Sequence, residues 1–354
     1  MYNIPAAAPE YARLLPQFVS LCDSLISRGQ SYTAVIMCHE LYRFLYPVEP
    51  YANIELHDPV TFITDKIKTL INIGQMWSEN VVSYSCNAAE ADSTGGSSKP
   101  LEIETSNLYT SLWRSFKEEH LTDESRRLME RRIPPAIIDS AIRGKRVLDM
   151  GCGSGRYTLA LAAVGAKSVI GVDVQRASFE RAEAYANEHG LPVTFRTGNF
   201  LELPFSGGEF DFVFCNGTLH HSESTERGLA EFSRVLNRDG KGFLYLYASG
   251  GIYWGTRVAL REIFKKIPLH FTQRVLETIG MPGNRFIFCD TWYVPKEEHI
   301  SRVALEEMMN RSGLGFKKVI SQNPFDLDRA LAAHIKDSEI MWGDGEHRYI
   351  VHKA

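Results

Sequence analysis

The run Arg146-Val-Leu-Asp-Met-Gly-Cys-Gly-Ser-Gly-Arg156 constrains this chain more than any other stretch. Val147 and Leu148 follow the basic pair Lys145-Arg146 and read as a short buried strand that Asp149 closes. Gly151, Gly153 and Gly155 then alternate with Cys152 and Ser154. From Tyr157 to Val164 the chain is apolar and alanine-rich, a helix that ends at Gly165. Strand, glycine turn and helix together form the ligand-cradling unit of an open α/β sheet. Glycine lets backbone approach a ligand closely, and the start of the helix offers free N–H groups. A dinucleotide fingerprint spaces its glycines as G-x-G-x-x-G. Here the turn reads G-C-G-S-G, with the third glycine one position early. Asp149, just before the turn, would repel a pyrophosphate but suits a ligand carrying an ammonium group.

This combination resembles motif I of the class I S-adenosylmethionine (SAM) methyltransferases, and further blocks agree with it. Lys167-Ser-Val-Ile-Gly-Val-Asp173 is a second strand ending in an acid, placed roughly twenty residues on, as ribose recognition requires. Val193 to Phe205 resembles the family's third block. Phe210-Asp-Phe-Val-Phe-Cys-Asn-Gly-Thr-Leu-His-His221 resembles the fourth-strand block. Arg234 to Gly240, with Phe243 to Tyr247, resembles the helix, turn and fifth strand that follow. The resemblance covers about Lys145 to Tyr247 and implies SAM as cofactor. It sets Asp149, Gly151, Gly153 and Gly155 beside the amino-acid end of SAM. Asp173 and Val174 fall at the ribose, Asn199 and Phe200 at the adenine, and Asn216 at the end of the fourth strand. The family's usual residue at Asn199 is aspartate; asparagine keeps an oxygen acceptor. The implied fold is a doubly wound, Rossmann-like, seven-stranded sheet with an N-terminal helical extension and a helical lid insertion.

Helical periodicity runs through Met1 to Tyr84: Leu14, Phe18, Leu21 and Leu25 share one face, and Tyr32 to Leu45 and Val60 to Trp77 repeat the habit. These helices would cover the active site, mediate homodimer contacts, or simply pack on the core. Residues 85–106 are small and polar and read as a linker or exposed loop. The expected division is therefore 1–84, a connecting 85–106, and a methyltransferase domain over 107–354. Tyr109, Trp113 and Phe116 share a helical face that resembles the family's lid over SAM. Arg126, Arg127, Arg131 and Arg132 read as a solvated basic face. Residues 249–299 read as the lid insertion, rich in aromatics such as Tyr253, Trp254, Phe264, Phe286, Phe288 and Trp292. Such rings either form a pocket for an apolar or cationic substrate or pack as an ordinary core. Gly313 to Ser321 and His347 to His352 read as a closing antiparallel pair, with Gly343-Asp-Gly345 as an exposed turn before the last strand.

Methyl transfer needs alignment and water exclusion, plus a general base only where the nucleophile carries a proton. His220 and His221 are the catalytic candidates, since strand-four C-termini face the reacting methyl; His221 is favoured and His220 assigned to packing. Asp290, Glu298 and His299, with His220 or His347, offer an alternative in which a metal assists C-methylation of an α-keto acid. Their spacing does not define a metal site, and none is assigned. The net charge of −4 over 354 residues, and the absence of N-P-P-Y or D-P-P-Y after the fourth strand, argue against nucleic acid. No apolar run reaches membrane-spanning length. Six scattered cysteines without a C-x-x-C suit a reducing cytoplasm. The expectation is a cytoplasmic SAM-dependent methyltransferase acting on a small-molecule metabolite. The competing class is a SAM-binding regulatory or scaffold protein without turnover.

Overall fold

The computed structural model describes residues 4–45, 58–80, 100–113, 121–281, 285–320 and 326–354. Residues 85–99 of the expected linker, Phe116, and the side chain of Phe286 lie outside the described residues. The chain divides into two compact units, one of Met1–Ser97, Ser249–Tyr293 and Pro324–Gly345, the other of Ser98–Ala248, Val294–Asn323 and Glu346–Ala354.

The second unit is built on seven strands: β1 (Arg146–Met150), β2 (Ser168–Asp173), β3 (Val193–Thr197), β4 (Phe210–Asn216), β5 (Leu236–Tyr247), β6 (Leu314–Lys318) and β7 (Glu346–Lys353). Their order is β3-β2-β1-β4-β5-β7-β6. The first five run parallel, and β7 is antiparallel to both β5 and β6. This is the doubly wound, seven-stranded architecture expected from the sequence, including the closing antiparallel pair. The strand order reverses between β1 and β4, so a crevice opens beyond their C-terminal ends. Both faces of the sheet are covered. Phe212, Phe214 and Phe243 meet the helices around Met129, Ile142 and Leu161 on one side. Val213, Cys215 and Leu244 meet Leu229, Phe232, Leu305 and Met309 on the other. Two-sided burial explains the near-continuous apolar reading of β4, which alternation alone would not produce.

Helix Leu101–Trp113 starts inside the stretch expected as linker. Pro100 precedes it, and proline is tolerated at a helix start because the first N–H groups lack intrahelical partners. A short π-turn, Ile138–Ile142, leads into β1.

The first unit is helical, with Pro9–Ser27, Ser31–Leu45 and Pro59–Asn80 joined by Gly251–Phe264, Leu269–Thr278, Arg285–Tyr293, Leu327–Ala332 and Ser338–Trp342. The Tyr11 hydroxyl meets Thr256 Oγ1 at 2.8 Å between buried side chains. The aromatics of 249–293 bury one another here. Phe264 stacks on Trp292 with centroids 5.4 Å apart, and Tyr42 meets the Trp292 edge at 5.1 Å. The stretch at Gly343–Gly345 corrects an expectation: it is not an exposed turn. Gly343 packs on the backbone of Gly250, where an added Cβ would lie 2.3 Å from the Gly250 carbonyl carbon.

Candidate active site

The glycine turn forms because its backbone needs conformations that side chains resist. Gly151, Gly153 and Gly155 have φ of 77°, 52° and 76°, in the left-handed region that favours glycine. Space is also closed to a Cβ, since one on Gly151 would lie 2.2 Å from Thr218 Cγ2 and one on Gly155 2.5 Å from Ala182 Cβ. The turn is tied to β2, with the N–H groups of both Gly151 and Cys152 donating to the Val172 carbonyl at 2.9 Å. Helix Arg156–Ala163 then begins directly after Gly155.

Two carboxyl groups flank the turn. Asp149 is 3% exposed and accepts the Thr158 hydroxyl on Oδ2 at 2.7 Å. Burial, with a smaller contribution from the nearby Asp173 charge, pushes its carboxyl up to about 7. Asp173 Oδ2 accepts the Gly153 N–H at 3.0 Å, and Oδ1 accepts the Ser106 hydroxyl at 3.1 Å. Its carboxyl is also raised, chiefly by burial and against those hydrogen bonds. Two carboxyls buried this close, with one of them poised to hold a proton at neutral pH, form a donor set that fits a cationic ligand.

Helix Leu101–Trp113 lies across this crevice. Ser106 also meets Ser178 Oγ at 2.8 Å. Glu102 Oε1 accepts the Glu223 N–H at 3.0 Å. Trp113 stacks on Tyr109 with centroids 5.2 Å apart and covers Gly153, whose added Cβ would meet the indole at 2.4 Å. Trp113 thus reaches the glycine turn with Tyr109 stacked on it, and the helix that carries them begins earlier than the periodicity placed it.

At the end of β4 the two histidines diverge. His220 is fully buried and stacks on Tyr247 at 3.8 Å. Its carbonyl accepts the Glu298 N–H at 2.9 Å. His221 Nδ1 lies 2.8 Å from the Lys296 carbonyl, so in the neutral ring Nδ1 carries the proton and Nε2 is the acceptor. The Tyr109 hydroxyl donates to that Nε2 at 3.2 Å. His221 therefore presents its acceptor nitrogen toward helix Leu101–Trp113.

The remaining expected residues spread wider. Asn199 Oδ1 accepts its own turn's Leu201 N–H at 2.8 Å, leaving one lone pair on that oxygen. Phe200 is buried in the core against residues such as Leu201 and Leu203. Val174 follows Asp173 at the end of β2, half-buried. Asn216 Oδ1 accepts from Arg132 Nη1 at 2.6 Å. Arg132 corrects the sequence reading, in which it belonged to a solvated basic face. Arg126, Arg127 and Arg131 are exposed, but Arg132 turns inward at the helix end. The alternative metal group is not assembled. Glu298 accepts from Thr225, His299 pairs with Glu297, and His347 Nε2 meets the Ile300 carbonyl. Among the described residues no three histidine, cysteine or acidic side chains could hold a metal ion. Sequence reasoning also missed Ser106, Thr218, Lys296 and Arg348. No local motif marks them, and only the fold brings them to this end of the sheet.

The profile of a methyltransferase domain matches residues 147–240. A tRNA U34 carboxymethyltransferase of Alcanivorax borkumensis is 38% identical over 116 residues, 31% of this chain and 34% of that protein. A 24-methylenesterol C-methyltransferase 2 of Oryza sativa subsp. japonica is 30% identical over 132 residues, 37% of this chain and 36% of that protein. The chain thus spans about a third of the length of these curated relatives. Among solved structures, magnesium protoporphyrin IX methyltransferase from Synechocystis PCC 6803 with bound SAM superposes at TM-score 0.44 and 14% identity, covering 73% of this chain and all of that one. From β1 to the turn before the paired part of β5, residues 147–240 match the methyltransferase-domain family.

Proposed function

We propose that this protein transfers a methyl group from SAM to a small-molecule acceptor held over the C-terminal ends of β4 and β5. The observation that carries the reading is the pair of buried carboxyls, Asp149 and Asp173, around a glycine turn that cannot accept side chains. An ammonium near Asp149 would hold its carboxyl ionised, and Asp173 would exchange the Ser106 hydroxyl for ribose hydroxyls. Bound SAM supplies a methyl group already activated by its sulfonium. The protein's own contribution is alignment and exclusion of water. Helix Leu101–Trp113 covers the crevice, with Trp113 over the turn and Tyr109 on His221. Where the acceptor is protonated, His221 Nε2 takes the proton, and its Nδ1–H bond to Lys296 holds the ring for that role. A covered crevice and a net charge of −4 favour a metabolite over a nucleic acid as acceptor.

The reading is tested by calorimetry with SAM and S-adenosylhomocysteine, followed by incubation of the protein and methyl-labelled SAM with separate metabolite and RNA fractions. Micromolar binding of both ligands and label in the metabolite fraction are expected. Label in RNA would refute the acceptor class. Binding without turnover on any fraction would favour a regulatory SAM-binding protein, and no binding at all would overturn the whole reading.

A further inference from the structure

Helix Leu101–Trp113 carries Ser106, Tyr109 and Trp113 on one face, at i, i+3 and i+7. Each of the three meets a group that the methyl-transfer reading assigns to a ligand. The Ser106 hydroxyl donates to Asp173 Oδ1 at 3.1 Å, where a ribose hydroxyl would donate. Trp113 lies against Gly153, on the backbone that the turn leaves bare for the cofactor; a Cβ built there would be 2.4 Å from the indole. The Tyr109 hydroxyl donates to His221 Nε2 at 3.2 Å, the nitrogen that would take the acceptor's proton. With the helix in place Asp173 is 9% exposed, and its Oδ2 already accepts the Gly153 N–H. A ribose that reaches Oδ1 therefore has to replace Ser106.

What holds the helix down is mostly polar. Of its four buried residues, Glu102, Thr105 and Ser106 are polar and Leu112 is apolar. Glu102 Oε1 accepts the Glu223 N–H at 3.0 Å, and Gln175 Nε2 donates to Asn107 Oδ1 at 2.9 Å. The hydroxyls of Ser106 and Thr110 meet Ser178 Oγ at 2.8 Å and 2.9 Å. Such bonds exchange for bonds to water, so their net hold is small. Docking also has a cost, because Thr105 Oγ1 is buried and has no hydrogen-bond partner among the described residues. Water satisfies that hydroxyl once the helix lifts. An element docked by few buried apolar side chains opens at the low end of a protein's stability range.

We propose that helix Leu101–Trp113 is an internal plug, which holds the cofactor and acceptor contacts of its own site and is displaced when SAM binds. The inference rests on the methyl-transfer reading above and adds a regulation of that site. A plug differs in sign from a lid that closes over bound cofactor: a lid gains contacts from SAM, whereas a plug competes with it. The apparent association constant for SAM is the intrinsic one multiplied by the fraction of molecules with the helix lifted. Weakening the helix's anchors therefore tightens cofactor binding.

The test titrates S-adenosylhomocysteine by calorimetry into wild type, Ser106→Ala and Glu102→Ala, and follows amide hydrogen exchange of residues 101–113 in the wild type with and without the ligand. Ser106→Ala should bind roughly tenfold more tightly, the value of one hydrogen bond to a charged group. Glu102→Ala removes an anchor at Glu223 rather than at Asp173 and should tighten binding by a similar factor. Exchange at 101–113, which needs no substitution to read, should speed up on binding. Unchanged or weaker binding in either folded variant, or exchange that the ligand slows or leaves unchanged, would overturn the plug while the wild type still binds. Binding to none of the three proteins would refute the methyl-transfer reading and take the plug with it.

Discussion

Asp149 offers the sharpest quantitative test. Its carboxyl is buried at the end of β1, receives one hydroxyl from Thr158, and faces a second carboxyl at Asp173. Two neighbouring thiols are pushed up mainly by burial and further by carboxylate charge, Cys152 by Asp173 and then Asp149, and Cys215 by Asp149. Burial raises Asp149 from 3.8 to about 7, equivalent to ~4 kcal/mol. The folded chain therefore keeps a proton that the unfolded chain releases. Stability from this group is greatest below pH 4 and declines as pH rises from about 4 to about 7, then levels off. Between pH 5 and pH 8 the decline amounts to ~3 kcal/mol. Asp149→Asn retains an oxygen for Thr158 and removes the titration. Urea unfolding of ligand-free wild type and variant at pH 5 and pH 8 should then show the wild type losing ~3 kcal/mol more than the variant. Groups that do not interact with Asp149 contribute equally to both proteins and cancel. Added SAM should reverse the ranking at pH 8, since its ammonium stabilises the carboxylate that asparagine lacks. Equal pH slopes for the two proteins would mean that Asp149 stays ionised in the fold, and the argument from burial would fail.

Three further outcomes follow from the same geometry. Asp173→Ala should weaken SAM binding by about 1–3 kcal/mol, the cost of leaving ribose hydroxyls without an acceptor, as measured by calorimetry; an unchanged affinity would place the ribose elsewhere. His221→Ala should lower kcat roughly a hundredfold at saturating substrates with SAM affinity near wild type, whereas His220→Ala should lower Tm, because that ring is buried against Tyr247. A rate within a few fold in His221→Ala would mean that no base is needed. Gly153→Ala should lose about 1–2 kcal/mol for the left-handed backbone alone, and part of any further loss should return in a Trp113→Ala background, because the added methyl meets the indole; an identical loss in both backgrounds would show that the indole yields freely.

The sheet was legible in the sequence because its strands are short, apolar and punctuated by glycine and acidic residues. Gly151 and Gly155 lie in left-handed conformations at turns whose spacing already implied them. Asp149 and Asp173 end strands, and strand ends meet at the crevice of a parallel sheet whatever the loops do. The helix over the crevice was only half legible. Its aromatic face showed at Tyr109 and Trp113, but its first turns carry Glu102, Thr105 and Ser106, polar residues typical of a loop. Glu102 and Ser106 are buried through hydrogen bonds within the same unit, Ser106 donating to Asp173 and Glu102 accepting the Glu223 N–H. Helical periodicity registers apolar faces and misses a face buried through hydrogen bonds.

The same reasoning separates what each level of description decided. Sequence alone determined the strand–turn–helix unit at Arg146–Ala163, the order of the blocks to Tyr247 and the cofactor class they imply, because these depend on local backbone preferences and on spacing along the chain. The sequence favoured His221 over His220 from position alone, and the tertiary structure supplied the contacts that separate them, with Tyr109 on His221 and Tyr247 on His220, since neighbours on one short helical turn differ by rotation and not by composition. The tertiary structure alone moved Arg132 from a basic surface to Asn216 and joined Arg348 to Tyr245 from a strand roughly a hundred residues away. Charge and exposure at such positions depend on what long-range pairing places opposite them, and no local pattern in the chain encodes that.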